Sequence, residues 1–318
     1  MVDIIGKRYW YFLLSLLVII PGLVAMGIHW SQHGTPFALA IDYTGGTNWE
    51  FANVSKLPST DEVRALFAQQ GIRDAVPQPE KINGNDAVLI RSSEVSTGAR
   101  TILKPQLIQL MGQSATEVRF ESAGPAIGAE VSQAATAAVA IAAVAILVYL
   151  TIAFRKLPKA FRYGVCAIIA MLHDILVVIG AASLFGLLFG WEVDALFLTA
   201  LLTVIGFSVH DTIVVFDRIR ENLIRLRGLP FEQVVNQSIL QTLDRSINTQ
   251  LTVLFTLTAL VLFGGITIHQ FALTLLIGIL SGTYSSIFNA SPLLVVWENG
   301  EIGQFFRKLF GGKRQATA

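Results

Sequence analysis

The chain is poor in charge. Only 14% of its 318 residues are Asp, Glu, Lys or Arg, where a soluble domain carries about 25%. With 53% hydrophobic residues, many of its faces must meet something other than water. Cysteine is nearly absent: Cys166 stands alone inside an apolar run, so an internal disulfide is excluded, and no Cys/His cluster has zinc spacing. There is no G-x-x-x-x-G-K-[ST] loop, because Gly312-Lys313 lacks the earlier glycine and position 307 is Arg. Direct ATP use is excluded on that ground, and no HExxH zinc motif occurs. Ser281-Gly282 with His210 or His173 offers no fixed nucleophile–base pair. No cofactor and no enzymatic chemistry are expected.

What is present is long apolar runs. The first, 9–28, follows Lys7 and Arg8. It is too long for a signal core and long enough to span a bilayer, so it is expected to be an uncleaved first helix kinked at Pro21-Gly22. Five more follow, at 131–154, 161–187, 193–216, 246–263 and 268–296. Each falls within or above the range of about 17–25 residues that crosses a hydrocarbon core of about 30 Å. Basic residues collect on one side of these spans: Lys7 and Arg8; Arg155, Lys156, Lys159 and Arg162; Arg218, Arg220, Arg225 and Arg227; Arg307, Lys308, Lys313 and Arg314. The opposite short loops, 186–194 and 264–269, hold no Lys or Arg. By the positive-inside rule both termini are cytoplasmic, and the long segment between the first two spans is outside. The run RIRENLIRLR at 218–227 is then a membrane-side anchor and not a nucleic-acid site.

The expected organisation is therefore residues 1–30 as N-terminus and first helix, 31–130 as an outer domain, 131–296 as five further helices, and 297–318 as a cytoplasmic tail. The outer segment alternates strand and helix signals. Strands are predicted at 47–51, 86–91 and 116–121, with helices at 61–70, capped by Ser59 or Thr60 and closed by Gly71, and at 100–111. The fold class is a membrane all-α bundle of six helices with one extracytoplasmic α+β domain, β-α-β-α-β and ferredoxin-like, between the first two. That domain shows no nucleophile–base pair or metal set, which points to binding or mechanical coupling. An outer residue such as Trp49 is a place from which to crosslink a passing chain.

The spans carry polar groups that lipid does not tolerate. Asp174 lies 12 residues beyond Arg162, roughly 18 Å into the membrane at 1.5 Å per residue. Asp211 lies 7 residues before Arg218, roughly 10 Å in. An acid at such depth costs about 2.5–3.5 kcal/mol on insertion scales and normally faces a bundle interior or water, as a proton or ion site or as a packing pair. Ser208 stands three residues before Asp211, and His210 adjoins it. Arg245 opens the fifth span; its side chain is long enough to reach a carboxylate a turn or two deep, or to snorkel to the headgroups. An Asp–Arg pair favours the ionised acid, and separating the pair lets the acid take a proton. In the sixth span Gly278, Gly282, Ser286 and Ala290 recur at i+4, a stripe that lets helices approach closely.

Four stretches carry a family resemblance. SVHDTIVVFDRIREN at 208–222 resembles the fourth helix and following loop of the SecF family of protein-export subunits, with Phe216, Asp217, Arg218, Arg220, Glu221 and Asn222 in its motif. DYTGG (Asp42, Tyr43, Thr44, Gly45, Gly46), GPAIG at 124–128 and RSINT at 245–249 resemble further motifs of that family, in the same order. His210 stands where Asn is common, and Gln250 where Ser is common. The resemblance implies half of a resistance–nodulation–division architecture, paired with SecD in a bacterial plasma (inner) membrane, with a thylakoid pool conceivable. It implies work with the SecY–SecE–SecG channel, with YajC as a further partner, to complete export of unfolded preproteins on the proton-motive force. It implies proton flow at Asp211 and Arg245; the depth of Asp174 and the adjacency of His210 to Asp211 make those two further candidates on the residues alone. The alternative is a half-size proton-coupled exporter of lipids or small molecules.

Overall fold

The structure, a computed structural model, describes residues 2–82, 84–155 and 159–301, and of Ile266 and Thr267 only the backbone. Lys156, Arg307, Lys308, Lys313 and Arg314, which the charge argument uses, lie outside the described residues, as does the tail from 302. In chain order the elements are α1 (Arg8–His33), the short α2 (Ile41–Thr44), β1 (Gly46–Ala52), α3 (Thr60–Ala68), β2 (Val76–Ile82), β3 (Asn85–Ser92), α4 (Thr97–Met111), β4 (Thr116–Ala123), α5 (Pro125–Ala153), α6 (Ala160–Phe189), α7 (Ala195–Arg225), α8 (Phe231–Phe263), α9 (Ile266–Ser285), a π-helical turn (Ser286–Ala290) and α10 (Ser291–Glu298). Two compact units result: Met1–Ala38 with Ala138–Ala318, and Leu39–Ala137.

The first unit is helical. Among the described residues six segments are long and apolar enough to cross a membrane: those of α1, α5, α6, α7 and α8, and the continuous α9–π–α10 rod. α6, α7 and the α9–α10 rod bury the most of themselves, α5 the least. Small residues set the close approaches. A Cβ at Gly278 would lie 2.1 Å from Val204 Cγ2, and one at Gly22 only 2.6 Å from the Gly180 Cα. The π turn has a local cause. Pro292 follows it, lacks an N–H, and its ring clashes with the carbonyl four residues earlier, so the helix widens before it.

α7 and α8 extend well past the apolar runs from which they were expected. α8 starts at Phe231 and not near Ser246, because Val234, Val235, Ser238, Ile239 and Thr242 form a buried helical stripe while polar residues occupy the other face. Asn222, near the end of α7, ties the hairpin: its Nδ2 donates to Ser238 Oγ and to Gln241 Oε1, both at 2.9 Å.

The second unit holds one four-stranded sheet of order β2-β3-β1-β4, every neighbouring pair antiparallel. Its element sequence β-α-β-β-α-β has one strand more than the expected β-α-β-α-β. The additional strand, β2 (VPQPEKI), carries Pro77 and Pro79. Proline cannot donate to a ladder, which hides the strand in the sequence and confines it to the sheet edge where it is found. Trp49 and Phe51 alternate onto one face of β1 and pack with Val63 and Phe67 of α3 and Leu103, Leu107 and Met111 of α4, all 0% exposed. Trp49 is thus a core residue and cannot touch a passing chain; the exposed Gln69 serves that purpose instead.

Candidate functional site

Two acids are buried in the helical unit. Asp174 of α6 is 1% exposed and Asp211 of α7 is 4% exposed. They owe this to the small and hydroxyl residues of the α9–π–α10 rod. Gly282 has no side chain to hold α7 away: a Cβ there would sit 3.3 Å from the Cα and Cβ of Ser208 and 3.7 Å from Asp174 Oδ2. Ser281 Oγ donates to Asp174 Oδ1 at 2.6 Å, and Ser285 Oγ donates to Oδ2 at 2.6 Å. Ser208 of α7 also donates to Oδ2, at 2.6 Å, and His173 Nδ1 lies 3.0 Å from Oδ1. The next hydroxyl along the rod, Ser286 on the π turn, donates to Asp211 Oδ2 at 3.0 Å. Adjacent serines therefore serve different acids.

Arg245 is not at this site. It lies on the exposed face of α8, and among the described residues no ion pair or hydrogen bond joins it to Asp211. α8 instead turns Ser246 and Gln250 inward, and Ser246 Oγ and Gln250 Oε1 are buried without a hydrogen-bond partner. His210 is exposed as well. Adjacency in sequence places it about 100° around the helix from Asp211, not beside it. The expectation that Asp211 has Arg245 and His210 as company is not met in this arrangement, since helical phase carries both onto outer faces.

The remaining motif residues have identifiable places. Phe216 is fully buried and meets the rings of Tyr163 at 5.4 Å and Phe154 at 6.0 Å. Asp217 pairs with Arg220 at 2.7 Å, and Arg218 with Glu221 at 2.6 Å, within the exposed last turns of α7. Such pairs contribute only a few tenths of a kcal/mol each. In the second unit, DYTGG and GPAIG meet backbone to backbone. Gly45 (φ +73°) and Gly46 (φ +122°) take conformations that favour glycine. A Cβ at Gly45 would lie 2.8 Å from the Pro125 Cα, and one at Gly128 would lie 2.8 Å from both Gly45 N and Tyr43 O. Asp42 and Tyr43 are half-buried beside this junction.

Sequence reasoning weighed Ser281 and His173 only as a nucleophile–base pair, and passed over Ser285 altogether. A signal existed: SGTYSS places hydroxyls at 281 and 285, an i+4 pair beside the Gly278–Gly282 stripe. Among the described residues no group of three His, Cys, Asp or Glu side chains is placed to hold a metal ion.

Residues 104–300 match the family described as protein export membrane protein SecD/SecF, C-terminal. The chain is 52% identical over 320 residues to the protein translocase subunit SecF of Anaerolinea thermophila, covering all of both chains. It is 34% identical to that of Escherichia coli O157:H7, over 92% of this chain and 86% of the other. Among solved structures it resembles the crystal structure of SecDF, a translocon-associated membrane protein, from Thermus thermophilus, with a TM-score of 0.75 and 34% identity. That match covers 94% of this chain but only 39% of the SecDF chain, so this chain spans about two fifths of it.

Proposed function

The chain belongs to the SecD/SecF family of protein-export membrane proteins, and from that we propose a proton-driven accessory subunit of the Sec preprotein translocase. It is a multi-pass membrane protein. In this reading it pairs with a SecD partner, which supplies what the SecDF chains have beyond it, and works beside the SecY–SecE–SecG channel on unfolded preproteins. YajC is a further partner of the same assembly. The basic residues on one side of the spans support cytoplasmic termini and an outer placement of the sheet domain, and membership of a bacterial protein-export family supports a plasma-membrane location. The order β2-β3-β1-β4 supports a ferredoxin-like reading of that domain.

The observation that carries the reading is Asp211, an acid 4% exposed in a membrane-spanning helix whose hydrogen-bond partner is a neutral hydroxyl. A carboxylate buried without a cation is costly, whereas a carboxylic acid there is not. Arg245, exposed on α8 and without an ion pair among the described residues, is the movable cation. When Asp211 is neutral, Arg245 stays away; when the acid loses its proton, the side chain swings toward α7 and offsets the charge. Cycling between the two states takes a proton from one side of the membrane and releases it to the other.

Asp211→Asn keeps the shape and removes the titrating group. Export of a preprotein into inverted membrane vesicles, measured with and without a proton gradient, is expected to lose its gradient-dependent part in this variant. Full gradient stimulation in Asp211→Asn sinks the proton role.

A further inference from the structure

We propose that Asp174 and His173 form a second proton-binding site in the helical unit, distinct from Asp211; the proposal rests on the reading above for the gradient that would drive it. The four contacts of Asp174 fill the roughly four acceptor positions of an ionised carboxylate. Three of the donors are neutral hydroxyls, and among the described residues the one charged partner available to it is His173. A buried carboxylate without a fixed cation is costly even when hydrogen-bonded, and a neighbouring group that can exchange a proton with it relieves that cost.

His173 is built for that exchange. Its side chain is 11% exposed, and its Nε2 is buried with no hydrogen-bond partner. With the proton on Nδ1 donated to Asp174, Nε2 is a bare acceptor. A proton bound there makes the ring cationic. The Nδ1 proton then passes to Asp174 Oδ1: one N–H bond breaks, one O–H bond forms, and the ring is neutral again with its proton on Nε2. His173 also borders an open, mostly apolar recess of about 300 Å³, lined by Leu14, Val18, Ile277 and Leu280 with Ser15 and Ser281, between α1, α6 and α9. Water is the proton donor the step requires, and because Nε2 is buried in this arrangement the ring must shift for water to reach it.

The other ionisable groups around the pair are accounted for. Tyr284 of α9 stacks on His173 at 6.2 Å and donates its hydroxyl to the Tyr11 carbonyl of α1. Glu298 of α10 is held by Arg162 at the far start of α6. Asp211 of α7 is the one that communicates. Ser285 Oγ, bound to Asp174, and Ser286 Oγ, bound to Asp211, both reach the Gly282 carbonyl, at 3.3 and 2.8 Å. Each hydroxyl has a single proton and must choose between its acid and that carbonyl, so neutralising one acid alters the donor available to the other.

The test is infrared difference spectroscopy of the full chain with its SecD partner in lipid nanodiscs, titrated with acid. Two protonated-carboxyl components are expected, one lost in Asp174→Asn and the other in Asp211→Asn. His173→Gln, which retains a donor but cannot relay, is expected to slow proton uptake after a pH jump by roughly a hundredfold. A spectrum unchanged in Asp174→Asn overturns the proposal. If Asp211 proves silent, the Asp174 component is still seen, so the two assignments fail separately. Should Asp174→Asn not assemble, Ser281→Ala decides: it removes a hydrogen bond to Asp174 Oδ1, so the carboxyl band assigned to Asp174 is expected to shift in frequency, and an unmoved band overturns the site.

Discussion

At the scale of single residues, the molecule turns on places where a side chain is missing. Gly128 is the clearest, because the atoms a Cβ would meet at 2.8 Å are backbone and cannot rotate away. At Gly278 the obstacle is the Val204 side chain, which can shift. Gly128→Ala is therefore expected to destabilise the protein by about 1–3 kcal/mol through overpacking. Gly27→Ala, in α1 with nothing within 4 Å of its Cβ, is the control and is expected to be neutral or slightly stabilising. Thermal unfolding of the two variants in detergent, side by side, checks this. The glycines were legible as motif members in the sequence, but their partners were not: 45 and 128 are far apart along the chain.

Elements were legible where their pattern is regular. The capping box that opens α3 follows from Ser59 with Glu62 three residues later, and the structure has both reciprocal hydrogen bonds. Lys56 also donates to Glu62, at 2.8 Å. The Lys56 ammonium and then the Ser59 donors hold the Glu62 carboxyl down at about 2, well below the usual carboxylate range. Burial pushes Glu117 up, yet hydrogen bonds from Arg100, Lys104 and Trp49 outweigh it and leave its pKa lowered. A group with a depressed folded-state pKa gives its full stabilisation above the unfolded value and loses it as pH falls toward the folded one. The start of α3 is thus expected to loosen between about pH 4.5 and 2. Amide hydrogen exchange over residues 60–68, corrected for intrinsic pH dependence, should rise in that window. Ser59→Ala should raise exchange at neutral pH, the cap contributing about 1 kcal/mol. An exchange rate flat across the window in the unaltered protein would count against this account. β2 and the first half of α8 escaped the sequence because their signals are mixed: prolines in one, charges on the outer face of the other.

At the scale of the whole molecule, the distribution of charge predicts sidedness. Cys166 is fully buried, so Cys166→Ser provides a cysteine-free background for labelling. On that background Gln69→Cys, exposed on the sheet domain, is expected to react with an impermeant maleimide in intact cells. Arg227→Cys, exposed in the loop between α7 and α8, is expected to react only after permeabilisation. The reverse pattern would invert the topology.

Sequence alone determined the number of long apolar helices, the presence of an α+β domain and the identity of the two acids that lie buried among the described residues. These depend on composition and local period, which are properties of consecutive residues. Tertiary structure decided what each acid touches. Four donors from three helices converge on Asp174, one serine of the π turn reaches Asp211, and Arg245 and His210 fall on outer faces. Such contacts depend on helix phase and on how closely α9 can approach α7, and both are settled only when the glycines and serines of one helix meet the other.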